Sequence, residues 1–310
     1  MRDHGGNLDL AIELYGGSRS DWIDLSTGIN PIAYPIGPLD PRESSDLPSS
    51  SDLLELEQAA REFWNVPDGA QVVAINGASS VIAAMPFLLN GETVSIEQPT
   101  YNEYESAFAD AGWRRDETAF DVKVLVHPNN PTGKIWAERD LNCATVIVDE
   151  SFSDVVSDAT LISHSKEPGR IFVKSFGKFW GLPGLRLGFV IGADPVVSKL
   201  RKLRGPWPVG GGAIRIGIAA LNDHVWTTGA RTRLKSDASK LDNLMSLHGV
   251  TVIGGCDLFR LYEVDDANNW REKLAKNYIW TRIFPYSKSY IRVGIPAPTD
   301  WRRLEETLGS

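Results

Sequence analysis

The chain is poor in cysteine: it has two among 310 residues, Cys143 and Cys256, far apart and in no paired motif. That excludes a disulfide framework and a cysteine-based zinc site, and no other metal-ligand set is expected. No apolar run approaches 18 residues, so no segment reads as membrane-spanning. The opening MRDHGGNLDL lacks the apolar core of a signal peptide. A cytoplasmic location is therefore expected, with no membrane partner. Basic charge is also in deficit: 32 Lys and Arg against 40 Asp and Glu, a net charge of −8. A general basic field for nucleic acid is disfavoured, which leaves room for a local basic pocket that takes an anionic small molecule. There is no internal repeat and no long low-complexity tract.

What is present is ordinary in bulk: 42% hydrophobic and 23% charged residues suit a soluble globular protein of one large or two medium domains. The Pro- and Ser-rich stretch 35–52 reads as a connecting loop, followed by a helix over 53–64 with Asp52 or Ser51 as N-cap. Short β-branched runs then alternate with helices: strands at 72–75, 93–96, 122–126, 144–148, 170–174 and 185–192, helices at 80–89 and 102–111. Nearly continuous apolar strands of this kind are buried on both faces of a mainly parallel α/β sheet. After Gly205 the pattern changes to one long helix over 213–247, strands at 249–254, 258–264, 278–284 and 289–295, and helices at 269–276 and 300–308. That predicts a smaller α+β domain. The expected division is an arm at 1–45 that joins the smaller domain, a large α/β domain at 46–208, and a C-terminal domain at 209–310.

Four segments sit at expected strand ends, where open α/β sheets place ligands. NGASS (76–80) puts small residues at a helix start, where backbone N–H groups can meet an anion, though a plain strand–helix turn would look the same. It is not a nucleophile elbow, because position 81 is Val. HPNNPTGK (127–134) is a turn by composition, with two Asn amides at a strand end. VIVDES (146–151) ends an apolar strand on Asp149. A buried carboxylate needs a cap or a cation, and a protonated ring nitrogen is one such cation. SFGKFWGLPGLRLG (175–188) sets Lys178 on a short loop with Arg186 eight residues later. A nucleophilic amine of depressed pKa beside an anion-binding Ser175 and Arg186 would account for that spacing. So would a surface lysine and a structural ion pair.

Taken together and in this order, the segments resemble the fold type I pyridoxal phosphate (PLP) enzymes of the class I/II aminotransferase group, over nearly the whole chain. The resemblance implies a large domain with a mainly parallel central sheet, a smaller α+β domain, PLP as cofactor and a homodimer. It makes Lys178 the lysine that forms an imine with PLP and Asp149 the partner of the ring nitrogen. Asn130 bonds the ring O3′, and Gly77, Ala78, Ser79, Ser175 and Arg186 hold the cofactor phosphate. Tyr101 is assigned to stack on the ring, with Tyr104 as the second choice.

DHGGN (3–7), DLSTGINP (24–31) and GPWP (205–208) further resemble the threonine-phosphate decarboxylase branch, which serves cobalamin biosynthesis. This implies a phosphorylated amino-acid substrate, with His4, Gly5 and Arg282 at its phosphate and Gly28, Asn30 and Arg292 at its carboxylate. Transamination in the manner of histidinol-phosphate aminotransferase is the alternative, and a non-catalytic PLP-binding regulator a more distant one. The chain departs from the group at four places. Phe152 stands where a Tyr is common and Gly177 where a second Ser is common. Leu47-Pro48-Ser49 replaces a Tyr-Pro-Asp segment that reaches the partner subunit's cofactor, and Gly28 replaces an Asn of some relatives.

Overall fold

The computed structural model describes residues 4–38, 40–193 and 195–309. The chain divides into two compact units: one holds the chain up to Ile32, Pro131–Gly133 and the chain from Thr228 onward, the other Ala33–Asn130 and Lys134–Thr227.

The smaller unit opens with α1 (Leu8–Tyr15) and β1 (Ile23–Asp24). The larger unit follows as α2 (Arg42–Ser45), α3 (Ser50–Phe63), β2 (Gln71–Ile75), α4 (Ala78–Leu88), β3 (Thr93–Ile96), α5 (Asn102–Asp110), β4 (Arg114–Arg115), β5 (Val122–Val126), β6 (Thr145–Asp149), β7 (Arg170–Ser175), β8 (Gly188–Gly192), α6 (Pro195–Leu203) and α7 (Gly211–Asn222). Then come α8 (His224–Ser246), β9 (Thr251–Cys256), β10 (Phe259–Glu263), α9 (Ala267–Ala275), β11 (Ile279–Trp280), β12 (Arg282–Ile283), β13 (Tyr290–Gly294) and α10 (Trp301–Gly309).

In the larger unit seven strands form one sheet in the order β2-β8-β7-β6-β5-β3-β4. Neighbours from β7 to β4 pair in parallel, whereas β8 runs antiparallel to both β2 and β7. Because β2 and β7 both oppose β8, the carboxyl ends of β2, β5, β6 and β7 share one edge. The central strands are buried along nearly their whole length, which explains their unbroken apolar sequences. On one face Val81, Ile82 and Met85 of α4 and Tyr104 and Phe108 of α5 pack with Ile96, Val124, Ile147 and Val173 of the sheet.

Several expectations need correction. The N-cap of α3 is Ser49, whose hydroxyl accepts from Asp52 N at 3.1 Å. The long helix is two helices: Asp223 breaks it and caps the second by accepting from Trp226 N at 2.9 Å, a position that suits a short acidic side chain. The unit boundaries fall at 32/33 and 227/228, the second of them because α7 packs on α3. A side chain at Gly217 of α7 would meet Leu56 Cδ1 at 2.7 Å. Composition marks where strand–helix alternation ends, which is earlier than where packing ends.

The smaller unit holds an antiparallel sheet β12-β13-β10-β9 and a parallel pair β1-β11. The single strand expected at 278–284 is split at Thr281, so that β11 and β12 join different sheets. Residues 131–133 belong here: Thr132 O accepts from Gly255 N at 3.0 Å. No helix among the described residues is long and apolar enough to cross a membrane.

Candidate active site

A cavity of about 660 Å³, mouth included, opens at the carboxyl edge of the large sheet. It gathers every cofactor-site candidate: Gly77, Ala78 and Ser79 at the start of α4, Tyr101 just before α5, Asn130 after β5, Asp149 at the tip of β6, Ser175 at the tip of β7, and Lys178 and Arg186 from the β7–β8 loop. Strand register explains the convergence. Gly188 pairs with Ile75 on one side and Ser175 on the other, so the loop leaves and returns at the same edge.

Gly77 is the N-cap of α4 and sits at φ 74°, in the left-handed region. A Cβ built on it would lie 2.5 Å from Arg186 Nη2. Only glycine lets the guanidinium lie against the helix start, where open N–H groups and the helix dipole already favour an anion. Arg186 itself takes φ 53° and donates from Nη1 to Pro183 O at 3.1 Å.

The apolar residues around Lys178 are anchors. Phe176, Phe179 and Trp180 are fully buried. The Phe176 and Trp180 rings stack at 4.1 Å, with Phe179 edge-on at 5.2 Å. They fix the loop and leave the half-buried Lys178 at the cavity, its Nζ 5.5 Å from the Phe152 ring centre.

Asp149 is 2% exposed. Its Oδ1 accepts from Ser151 N at 2.9 Å and from Ser151 Oγ at 2.5 Å, and its Oδ2 accepts from Tyr104 Oη at 3.0 Å. Burial pushes its pKa up, against the pull of Ser151, Tyr104 and Lys178. Tyr104 is wholly buried behind the carboxylate, so it is excluded as a ring-stacking residue. Of the two asparagines, Asn129 is structural: Nδ2 donates to Pro99 O at 2.9 Å and Oδ1 accepts from Thr100 Oγ1 at 2.5 Å, which steadies the segment leading to Tyr101.

Gly177 has a steric cause, since a Cβ there would meet Pro183 Cα at 2.9 Å. Phe152 is buried and lines the cavity. Leu47, Pro48 and Ser49 border a different hollow.

The smaller unit has a cavity of about 1090 Å³, mouth included, lined in part by His4 and Arg282. It also brings in Arg271, Lys288 and Thr281, which no motif or spacing in the sequence announces. Thr281 is 2% exposed, and its Oγ1 has no hydrogen-bond partner among the described residues. Arg292 is buried and donates from Nη2 to Ser26 O at 2.5 Å. Strand pairing sets it directly opposite Arg282. Burial, and then the Arg282 charge, push the Arg292 guanidinium down to about 10. Two like charges facing each other across a ladder are unfavourable; Arg282 lines the cavity, whereas Arg292 lines neither cavity. Gly5 lies beside Arg292, a Cβ on it falling 3.4 Å from Nη2. Gly5, Gly28 and Asn30 also line neither cavity. The Asn30 Oδ1 accepts from Arg233 Nη2 at 2.6 Å and Ile32 N at 3.0 Å, holding the chain in place. Among the described residues no group of three or more His, Cys, Asp or Glu is placed to hold a metal ion.

A two-unit α/β protein with an amine, a buried strand-tip carboxylate and an anion cradle in one cavity is the class that fold and geometry define. Comparison with known proteins narrows it. The family model for aminotransferase class I and II matches residues 39–123 and 114–309. A threonine-phosphate decarboxylase from Sinorhizobium sp is 33% identical over 98% of this chain and 97% of its own length. One from Pseudomonas aeruginosa is 33% identical over 99% and 97%. The crystal structure of histidinol-phosphate aminotransferase from Sinorhizobium meliloti in complex with pyridoxal-5'-phosphate superposes with a TM-score of 0.83 at 15% identity, covering 97% of this chain and 94% of that one. The chain belongs to the class I and II aminotransferase family.

Proposed function

We propose that the protein is a PLP-dependent carboxy-lyase that converts L-threonine O-3-phosphate to (R)-1-amino-2-propanol phosphate and carbon dioxide, in cobalamin biosynthesis. The observation that carries this reading is the near-full-length similarity to threonine-phosphate decarboxylases. The donor set of the large-unit cavity fits the cofactor. The Gly77 cradle, with the Arg186 guanidinium beside it, suits a phosphate, and a desolvated carboxylate at Asp149 suits a ring N–H. When bound, PLP supplies an electrophilic aldehyde and a ring that takes up the electron pair left by bond cleavage.

The remaining work is done by side chains. The helix start at Gly77, Ala78 and Ser79, with Ser175 and Arg186, binds the cofactor phosphate. Tyr101 would lie against the ring and Asn130 would donate to its O3′. Asp149 would accept from the ring nitrogen and favour a proton there. Lys178 would hold the cofactor through its ε-amine and is the group placed to return a proton to the substrate Cα. In the smaller unit Arg292 takes the substrate carboxylate, near Gly28 and Asn30, and Arg282 takes the phosphate with His4 and Gly5. Planar bidentate recognition of either group favours arginine. The same reading takes the protein as a cytoplasmic homodimer.

The test is a product assay on the PLP-loaded protein. Threonine phosphate is expected to yield carbon dioxide and aminopropanol phosphate, and histidinol phosphate with 2-oxoglutarate no glutamate. Glutamate without carbon dioxide would overturn the reading in favour of transamination.

A further inference from the structure

Asp149 is held from behind by a group that lines no part of the large-unit cavity. Tyr104, on α5, is fully buried, and its hydroxyl donates to Asp149 Oδ2 at 3.0 Å. The other carboxylate oxygen, Oδ1, is occupied by the backbone and side chain of Ser151. The two oxygens are thus braced from two directions by neutral donors, one local and one from a residue 45 positions earlier. Among the described residues, Lys178 acts on Asp149 and Tyr101 acts on Tyr104. Burial, reinforced by Asp149, holds the Tyr104 phenol well above its ordinary value, so it remains a donor across the working pH range. Donors to a carboxylate favour its ionised form, and here they oppose desolvation.

We infer that Tyr104 is a positioning residue: its hydroxyl keeps the Asp149 carboxylate charged and aimed into the cavity, and through it strengthens the hold of bound PLP on its ring-nitrogen proton. The inference rests on the reading that Asp149 faces that nitrogen. Removing the hydroxyl leaves the ring volume in place and takes away one charge-assisted hydrogen bond, an effect on the order of tenfold.

The experiment loads wild type, Tyr104→Phe, Asp149→Asn and the double variant with PLP carrying ¹⁵N in the ring. The ring-nitrogen shift is followed against pH, and the PLP dissociation constant is measured by equilibrium dialysis, both without substrate. Tyr104→Phe is expected to lower the ring-nitrogen titration midpoint by about one pH unit and to weaken PLP about tenfold. In the Asp149→Asn background the same change is expected to alter neither by more than about twofold, since the group it acts through is gone. If Asp149→Asn moves the titration and Tyr104→Phe does not, Tyr104 is only core packing and the inference is wrong. If Asp149→Asn itself leaves the ring nitrogen unchanged, the assignment of Asp149 fails and takes the inference with it. Should Tyr104→Phe not fold, 3-fluorotyrosine in place of Tyr104 keeps the ring and makes its hydroxyl a stronger donor to Asp149. An unmoved titration midpoint there also overturns the inference.

Discussion

Asp149 and Glu150 are adjacent in sequence, both almost wholly buried, and the fold treats them in opposite ways. Glu150 is met inside the protein. Lys174 Nζ lies 2.6 Å from its Oε2, Thr160 Oγ1 donates to the same oxygen at 2.6 Å, and Leu161 N donates to Oε1 at 2.7 Å. Burial pushes its pKa up, but Lys174, Thr160 and His127 outweigh that and leave it below the usual carboxylate range. Among the described residues, Asp149 receives its hydrogen bonds from the neutral Ser151 and Tyr104, and its pKa stays raised by burial. The lesson is one of side. The acid facing the protein interior carries its own counter-ion and belongs to the scaffold. The acid facing the cavity is braced but left for a cation to complete, which is where a protonated ring nitrogen fits.

The comparison breaks first at Lys174. Lys174→Met strands a buried carboxylate, and the expected loss in chemical denaturation at pH 7 is about 3–5 kcal/mol. Because the folded-state pKa of Glu150 is depressed, its contribution is present above its unfolded value of about 4.3 and fades as pH falls through the folded value. The deficit of the mutant is therefore expected to shrink in acid. Adding Glu150→Gln is expected to recover more than half of it. A loss under about 1 kcal/mol for the single variant would mean that the pair is not a scaffold element.

Asp149→Asn is expected to behave the other way. An acid whose folded pKa is raised loses stability as pH climbs from its unfolded to its folded value. The amide escapes that loss, so the cofactor-free variant is expected to melt no lower than wild type at pH 7, while PLP binding weakens by about tenfold or more. A large drop in melting temperature with unchanged PLP affinity would put Asp149 in the scaffold with Glu150.

Much of this site was legible in the sequence because small residues and single charges punctuate apolar strands, and strand ends converge in a parallel sheet. That logic brought Gly77, Asn130, Asp149, Lys178 and Arg186 to one cavity. It could not see what lies behind them. Tyr104 reads as one of two similar tyrosines, and only its burial assigns it to the carboxylate rather than to the cavity. Gly177 reads as a missing hydroxyl, whereas the approach of Pro183 is what excludes a side chain there. Thr281, Arg271 and Lys288 carry no spacing signal, because a split strand, a separate helix and the turn before β13 bring them together. The break at Asp223 was hidden by apolar residues that continue the helical pattern on both sides of it.

The most direct measurement is to load the protein with PLP, reduce it with sodium borohydride and map the modified peptide by mass spectrometry. A single pyridoxyl group on Lys178 is the predicted result. Modification of another lysine instead, or none under conditions where PLP is bound, would contradict the account at its root.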